Sequence, residues 1–269
     1  MDHHKYLKYK AKYLNLKEQN RVPNEQNRVF VGQKQIGGHK QHILLFGVSS
    51  SGKSSLSKEF VKHGFVHVSE ELNSFSNKEF YKSLDTNKYY TREELQQMKN
   101  NKFSRVMYEE AQKHNWVVYD DIKQRVLKYY EKSSDVFVIV VYTSLLQLVD
   151  NIYSRRIDDP RGLFVFDQFA RTFVHESNSS HNTIATINKN EFIEKLKSKL
   201  KYLFESENDL IKFVDKIFLE MGISDNKIYP IKLRSEYKCD YLIDTTDKNV
   251  DEIFEKTKND LEGKIYFSH

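Results

Sequence analysis

Two glycines stand five positions apart in the segment GVSSSGKSS, residues 47–55, and a lysine and a serine follow the second one. The segment matches the pattern G-x-x-x-x-G-K-[ST] without a mismatch. In that pattern the glycines let backbone N–H groups wrap a phosphate, the lysine reaches the β- and γ-phosphates, and the hydroxyl residue holds Mg²⁺. The residues predicted to bind the nucleotide are Gly47, Val48, Ser49, Ser50, Ser51, Gly52, Lys53, Ser54 and Ser55.

The flanking residues fit this interpretation. An apolar run, Ile43 to Phe46, precedes the loop and predicts a buried strand, and a helix is predicted from 53 to 62. The positive end of that helix would help to bind the anion. The loop alone does not separate ATPases, GTPases and kinases. A clean N-K-x-D motif is absent from the sequence, which disfavours a GTPase switch.

Two adjacent acids, Asp120 and Asp121, end the predicted strand 115–121. Carboxylates at the carboxyl end of a strand beside a phosphate loop can hold Mg²⁺ or accept a proton from a substrate. The alternative is a helix N-cap, because a helix is predicted from Ile122. Two acids exceed what one cap needs, so we predict that Asp120 acts with Ser54 on the metal and that Asp121 is a candidate base.

Three arginines, Arg155, Arg156 and Arg161, lie within seven positions in the segment SRRIDDPRG. An arginine that reaches the transferred phosphoryl group stabilises the charge of its equatorial oxygens. A lid closing over the nucleotide would bring one there and exclude water. The alternative is a cluster paired with Asp158 and Asp159.

Strands and helices alternate along the chain, which predicts an α/β fold with a mostly parallel sheet covered on both faces. The predicted strands are 42–48, 65–69, 115–121, 135–143 and 239–246. The predicted helices include 53–62, much of 77–114, a helix starting at 144, most of 190–220 and 249–261. Residues 176–191 read as a loop, and Phe192, Leu196 and Leu200 predict a core-facing helix.

The net charge of +5 arises in the first 40 residues, which contain nine Lys or Arg and three Asp or Glu, a balance of +6 against −1 for the rest. The rest of the chain is nearly neutral, which disfavours an extended nucleic-acid-binding surface. Residues 5–17 predict a basic, tyrosine-rich helix that could dock on the body, on a partner or on an anionic surface, and a polar linker follows to residue 40. We expect the domain itself to span 41–269.

A cytoplasmic location is expected, because Cys239 is the single cysteine and no apolar stretch approaches the length of a membrane span. Histidines lack the paired spacing of a zinc site. The Lys-Tyr-Leu runs among the first residues also resemble the N-terminal segments of giant DNA virus proteins. For a viral protein the expected location would be the host cytoplasm.

Four blocks in this order resemble the chloramphenicol phosphotransferase-like P-loop kinases, close to the zeta-toxin kinases: GVSSSGKSSLSKEF, VVYDDIKQRVL, DVFVIVVYTSLLQLVDNIYSRR and CDYLIDTTDKNVDEI. The resemblance covers about 42–176 and 238–262 and implies a three-layer α/β/α P-loop NTPase fold. It also implies that 177–236 is an insertion after the lid, with helices that build an acceptor pocket or extend the packing.

The resemblance also implies a catalytic Asp at the end of the second strand, where this chain departs from the family pattern. The segment VHVSEEL offers Glu70 instead, either as the base or as an acid of a first helical turn. The leading interpretation is an ATP- and Mg²⁺-dependent phosphotransferase acting on a hydroxyl of a small molecule. The alternatives are a nucleoside, nucleotide or polynucleotide-end kinase, and a non-catalytic nucleotide-binding module that docks through its basic tail.

Overall fold

Five strands, all parallel, form the main sheet of the computed structural model in the order β2-β3-β1-β4-β8. They are β1 (Gln41–Phe46), β2 (Val66–Ser69), β3 (Trp116–Asp121), β4 (Val136–Tyr142) and β8 (Tyr241–Asp244). The structure describes residues 41–69, 84, 89–121, 124–130, 136–155, 161–175, 183–265 and 267. The predictions for residues 1–40, Glu70 and Arg156 therefore lie outside the described residues.

Seven helices are described: α1 (Lys53–Lys62), α2 (Arg92–Ala111), α3 (Leu145–Ser154), α4 (Arg161–Thr172), α5 (Lys189–Lys199), α6 (Glu207–Glu220) and α7 (Val250–Asp260). Short 3₁₀ helices occupy Arg125–Tyr129 and Lys201–Leu203. No helix among the residues the structure describes is long and apolar enough to cross a lipid bilayer.

The alternation of side chains along the strands gives the main sheet two buried faces. Ile43 and Leu45 of β1 face one way and pack with Leu56 and Phe60 of α1 and with Phe254 of α7. Residues of β1 in between point to the other face, where α2 covers the sheet with Met107 and Ala111. Continuous apolar strands between two helical layers are typical of parallel sheets. The predicted three-layer α/β/α fold with a P-loop is confirmed.

A second core lies beside the sheet and contains α3, α4, α5 and α6. Phe192, Leu196 and Leu200 are completely buried there, as their helical spacing predicts. The region also contains a small antiparallel sheet in the order β5-β7-β6. Its strands are β5 (Phe173–Val174), β6 (Ala185–Asn188) and β7 (Ile228–Leu233).

This sheet corrects the prediction for 177–236. The sequence predicted helices and a loop there, and both helices are present, but residues 185–188 form a strand rather than part of a loop. The strand is stabilised by pairing with β7, some forty residues later in the chain, and its own four residues carry a weak pattern. The small sheet packs against one side of the second core through Ile187 and Ile231. Two helices of that core, α3 and α4, also contact the loop between β1 and α1.

Candidate phosphate-binding site

The loop between β1 and α1 needs glycine at two positions for different reasons. A Cβ on Gly47 would lie 2.3 Å from the carbonyl oxygen of Val141 in β4, closer than non-bonded atoms can approach. Gly52 caps α1 with a φ of 95°, in the left-handed region that side chains disfavour. The loop thus passes directly over β4 and leads into the first turn of α1. Backbone N–H groups at such a helix start can bind a phosphate.

Lys53, the first residue of α1, is a charged side chain that the loop encloses. It is 5% exposed, its Nζ donates a 2.8 Å hydrogen bond to the carbonyl of Val48, and it lies 3.7 Å from Oδ1 of Asp120. A buried ammonium group needs such partners because desolvating it is costly. The lysine is therefore held inside the loop, where the phosphates of a nucleotide would meet it.

Asp120 also binds Ser54. The Ser54 hydroxyl donates a 2.9 Å hydrogen bond to Oδ2 of Asp120, whose side chain is 15% exposed. Asp120 lies at the carboxyl end of β3, in register with Leu45 of β1 and Ser69 of β2. Parallel strands end at one edge, which is where ligands bind in α/β sheets.

The hydroxyl and carboxylate of this pair fit Mg²⁺, which prefers oxygen ligands. No group of three or more His, Cys, Asp or Glu that could hold a metal occurs among the described residues. Mg²⁺ fits a site with so few protein ligands because it usually takes one or two from the protein and completes its shell with water and phosphate oxygens.

Two threonines, Thr245 and Thr246, directly follow β8 and hold the opposite side of the loop. The Thr245 hydroxyl lies 2.9 Å from the carbonyl oxygens of both Ser51 and Tyr142, and its backbone N–H also donates to Tyr142. The Thr246 hydroxyl accepts a 3.0 Å bond from the N–H of Ser144, the N-cap of α3. Two neighbouring threonines thus tie the loop and the start of α3 to the sheet.

Helix α3 and Arg155, the residue that caps its C-terminus, contact the loop through their side chains. Asn151 donates a 2.9 Å bond to the carbonyl of Ser50, and Arg155 donates a 3.2 Å bond from Nη1 to the Ser50 hydroxyl. Gln147 holds the Asn151 amide with a 3.0 Å bond. Among these, sequence reasoning identified Arg155 and missed the two amides, because Asn and Gln one turn apart also occur on ordinary solvated helix faces.

A cleft of about 350 Å³ opens beside these contacts, bounded by the loop, α3 and the turn after β8. Its lining includes Ser50, Gly52, Arg155, Thr245, Lys248 and Ile253. Arg155 therefore lies on the β4 and β8 side of the loop, whereas Asp120 lies on the β3 side. The structure separates these two predicted site residues across the loop.

A further contact with the loop comes from Gln168 of α4, a residue that the sequence did not single out. The Gln168 side-chain oxygen accepts a 3.0 Å bond from the N–H of Ser49. Nothing in the local pattern of α4 distinguishes this glutamine from a packing residue.

For the remaining residues predicted to belong to the site, the structure describes the backbone alone or nothing. Asp121 ends β3 in register with Phe46, and Arg161 begins α4; only their backbone is described. Glu70 and Arg156 lie outside the described residues, as does the acid pair 158–159. A further arginine, Arg171 near the end of α4, forms an exposed 3.2 Å ion pair with Glu220.

No protein-family model matches the sequence, and no curated protein matches it. Solved structures do match over most of their length, although their TM-scores are low. A gluconokinase from Sinorhizobium meliloti 1021 is 12% identical, with 86% of this chain and 100% of that chain covered and a TM-score of 0.36. A shikimate kinase from Acinetobacter baumannii, in complex with shikimate, is 13% identical, with 85% and 97% covered and a TM-score of 0.38.

A thymidylate kinase from Candida albicans is 9% identical, with 85% and 96% covered and a TM-score of 0.37. Similarity at this level does not identify a substrate. The assignment of the fold rests on the sheet order and the loop, and the narrower resemblance to chloramphenicol phosphotransferase-like kinases and the viral origin stay predictions.

Proposed function

We propose that this protein is an ATP- and Mg²⁺-dependent phosphotransferase that moves the γ-phosphoryl group to a hydroxyl of a small molecule. The observation that carries the proposal is the arrangement of Lys53, Ser54 and Asp120. A buried ammonium and a hydroxyl–carboxylate pair meet at the carboxyl edge of a parallel sheet, under a loop of backbone N–H groups. This combination serves a triphosphate and its metal.

The cleft next to the loop supports the position of the nucleoside. Its lining includes the loop residues Ser50 and Gly52 together with Arg155 and Ile253. A planar guanidinium and an aliphatic side chain suit the two faces of a nucleobase. We therefore assign Arg155 to nucleotide binding. This role differs from the contact with the transferred phosphoryl group for which the sequence made it a candidate.

In the proposed reaction the acceptor oxygen forms a bond to the γ-phosphorus while the bond to the leaving ADP oxygen breaks. Lys53 and the loop N–H groups hold the phosphates and balance their charge. Mg²⁺ held through Ser54 and Asp120 would supply further neutralisation of the phosphate oxygens. The acceptor proton passes to a carboxylate, for which Glu70 and Asp121 are the candidates, and Arg156 or Arg161 would reach the transferred group from the lid.

Replacing Lys53 by methionine tests the assignment. The change removes the charge and keeps much of the side-chain length, so we expect loss of phosphoryl transfer in an assay with γ-labelled ATP, Mg²⁺ and a panel of hydroxyl-bearing metabolites. Lys58→Met in the same helix is the matched control, because Lys58 is exposed and lies outside the loop. Full transfer activity in Lys53→Met would overturn the site.

The panel also separates the alternatives. A product formed only with nucleosides or nucleotides would establish a nucleoside or nucleotide kinase. Binding of ATP without loss of its γ-phosphate in any mixture would instead establish a nucleotide-binding module.

A further inference from the structure

One peptide unit in the phosphate loop, between Val48 and Ser49, is held from both ends by side chains. Its carbonyl oxygen accepts the 2.8 Å bond from Nζ of Lys53. Its N–H donates the 3.0 Å bond to Oε1 of Gln168. The lysine comes from α1 and the glutamine from α4, so two different helices fix the orientation of a single peptide plane.

Gln168 is itself firmly placed. It is 9% exposed, and its neighbours Phe166 and Phe169 are buried in the second core. The Thr172 hydroxyl donates to the Gln168 carbonyl at 2.8 Å. The end of α4 is held by Arg234, the residue after β7, which donates from Nη2 to the Ala170 carbonyl at 3.0 Å. A side chain on so well-packed a helix can hold its partner with little freedom.

The position of this peptide relates it to the terminal phosphate. In loops of this pattern the N–H groups cradle the α- and β-phosphates and the lysine reaches the β- and γ-phosphates. Since Lys53 Nζ contacts the Val48 carbonyl, the Val48–Ser49 peptide borders the space where the γ-phosphate would meet the lysine. Gln168 is thus the residue that fixes the loop at the reacting end of the nucleotide.

We propose that Gln168 is a positioning residue for the γ-phosphoryl group, an inference that rests on the proposed function. It acts by occupying the Ser49 N–H, which keeps the Val48 carbonyl directed at Lys53 and the lysine directed at the terminal phosphate. Without this acceptor the peptide is held only at its carbonyl, by Lys53 and by the Ser51 N–H at 3.3 Å, so its plane can tilt and the position of Lys53 becomes less fixed. The consequence is selective, because the diphosphate part of the nucleotide binds to N–H groups further along the loop.

Two substitutions test the role. Gln168→Leu keeps the approximate shape and removes the acceptor. Gln168→Glu keeps an acceptor oxygen and, when ionised, places a negative charge beside the triphosphate. Asp167→Asn is the control on the same helix, because Asp167 forms a surface ion pair with Lys216 at 2.8 Å.

The affinities of each variant for ADP and for a non-hydrolysable ATP analogue are measured by calorimetry with Mg²⁺. For Gln168→Leu we expect the analogue to bind about fivefold more weakly, the effect of losing one hydrogen bond, with ADP affinity nearly unchanged. Gln168→Glu should bind the analogue more than tenfold more weakly at pH 8. Relative to the unsubstituted protein at each pH, part of this loss should be recovered at pH 5.5, because burial and the neighbouring triphosphate raise the pKa of the introduced glutamate above its ordinary value of about 4.3.

An unchanged ratio of the two affinities in a folded Gln168→Leu protein would overturn the role of Gln168 and leave the proposed function intact. Should that variant fail to fold, Gln168→Glu decides, and a ratio of the two affinities at pH 8 equal to that of the unsubstituted protein would overturn the role equally. If the unsubstituted protein bound neither nucleotide, the proposed function would fail and this inference with it.

Discussion

The hydroxyl of Ser54 donates a hydrogen bond of 2.9 Å to the carboxylate of Asp120, which lies 66 positions later in the chain. This bond joins the last residue of the G-x-x-x-x-G-K-S motif to the end of a different strand. Both groups offer oxygen atoms on the same side of the loop as the buried Lys53.

Ser54→Ala should raise the Mg²⁺ concentration needed for half-maximal phosphoryl transfer by about tenfold, since it removes one metal ligand and leaves the loop backbone intact. Asp120→Asn should raise it further, because a carboxylate is lost. Titration of activity with Mg²⁺ measures both effects. Ser198→Ala, an exposed serine of α5, is the control, and identical Mg²⁺ curves for Ser54→Ala and this control would contradict the metal assignment.

Arg155→Ala should raise the KM for ATP by about tenfold and lower kcat much less, because the guanidinium lines the cleft on the β8 side of the loop and lies away from Asp120. Arg155→Lys should recover little of the affinity, as an ammonium lacks the planar face. Steady-state kinetics give both constants. Arg171→Ala is the control because its ion pair with Glu220 is exposed. A fall in kcat at constant KM would return Arg155 to a transition-state role.

Thr245→Val should destabilise the protein by about 1 kcal/mol and weaken nucleotide binding in parallel. The substitution keeps the shape but deprives the carbonyls of Ser51 and Tyr142 of their hydroxyl donor. Denaturant unfolding with and without ATP measures the two effects. Thr245→Ser keeps the hydroxyl and should restore both. A Thr245→Val protein of normal stability and normal affinity would show that this contact is dispensable.

The free energy of unfolding should fall as the pH rises above about 10. Burial raises the pKa of Tyr142 and of Tyr119 well above the value near 10 of an exposed tyrosine. Below pH 10 these tyrosines are neutral in both states and contribute no pH dependence. Above it they ionise in the unfolded chain first, which favours unfolding until the pH passes the raised pKa.

The alkaline loss is measured by denaturant unfolding between pH 8 and 11. Tyr142→Phe should make the loss smaller, because one buried group that resists ionisation is gone. A Tyr142→Phe protein whose stability falls with pH as steeply as that of the unsubstituted protein would argue against burial as the cause.

Much of the main sheet could be predicted from the sequence. The strand 42–48 was expected from its apolar run and observed as Gln41–Phe46, and the helix 53–62 has its predicted bounds. These elements are encoded locally, because a parallel strand buried on both faces needs a continuous apolar run and the loop needs glycine at fixed positions. The small antiparallel sheet was not predicted. Its strands are short, and β7 contains Pro230, which lacks an N–H and weakens a strand pattern.

The sequence by itself determined the phosphate loop and the strands around it, because each of these is written in adjacent residues. It also placed two acids at the end of β3, but the contact of Asp120 with Lys53 and Ser54 depends on β3 lying next to β1 in the sheet. Only the tertiary structure decided which side chains meet the loop from elsewhere. Asn151 and Gln168 are ordinary polar residues of helices until packing of the second core brings α3 and α4 against Ser50 and Ser49. The physical reason is that a hydrogen bond between distant segments depends on how the helices pack, and no pattern within either segment records its partner.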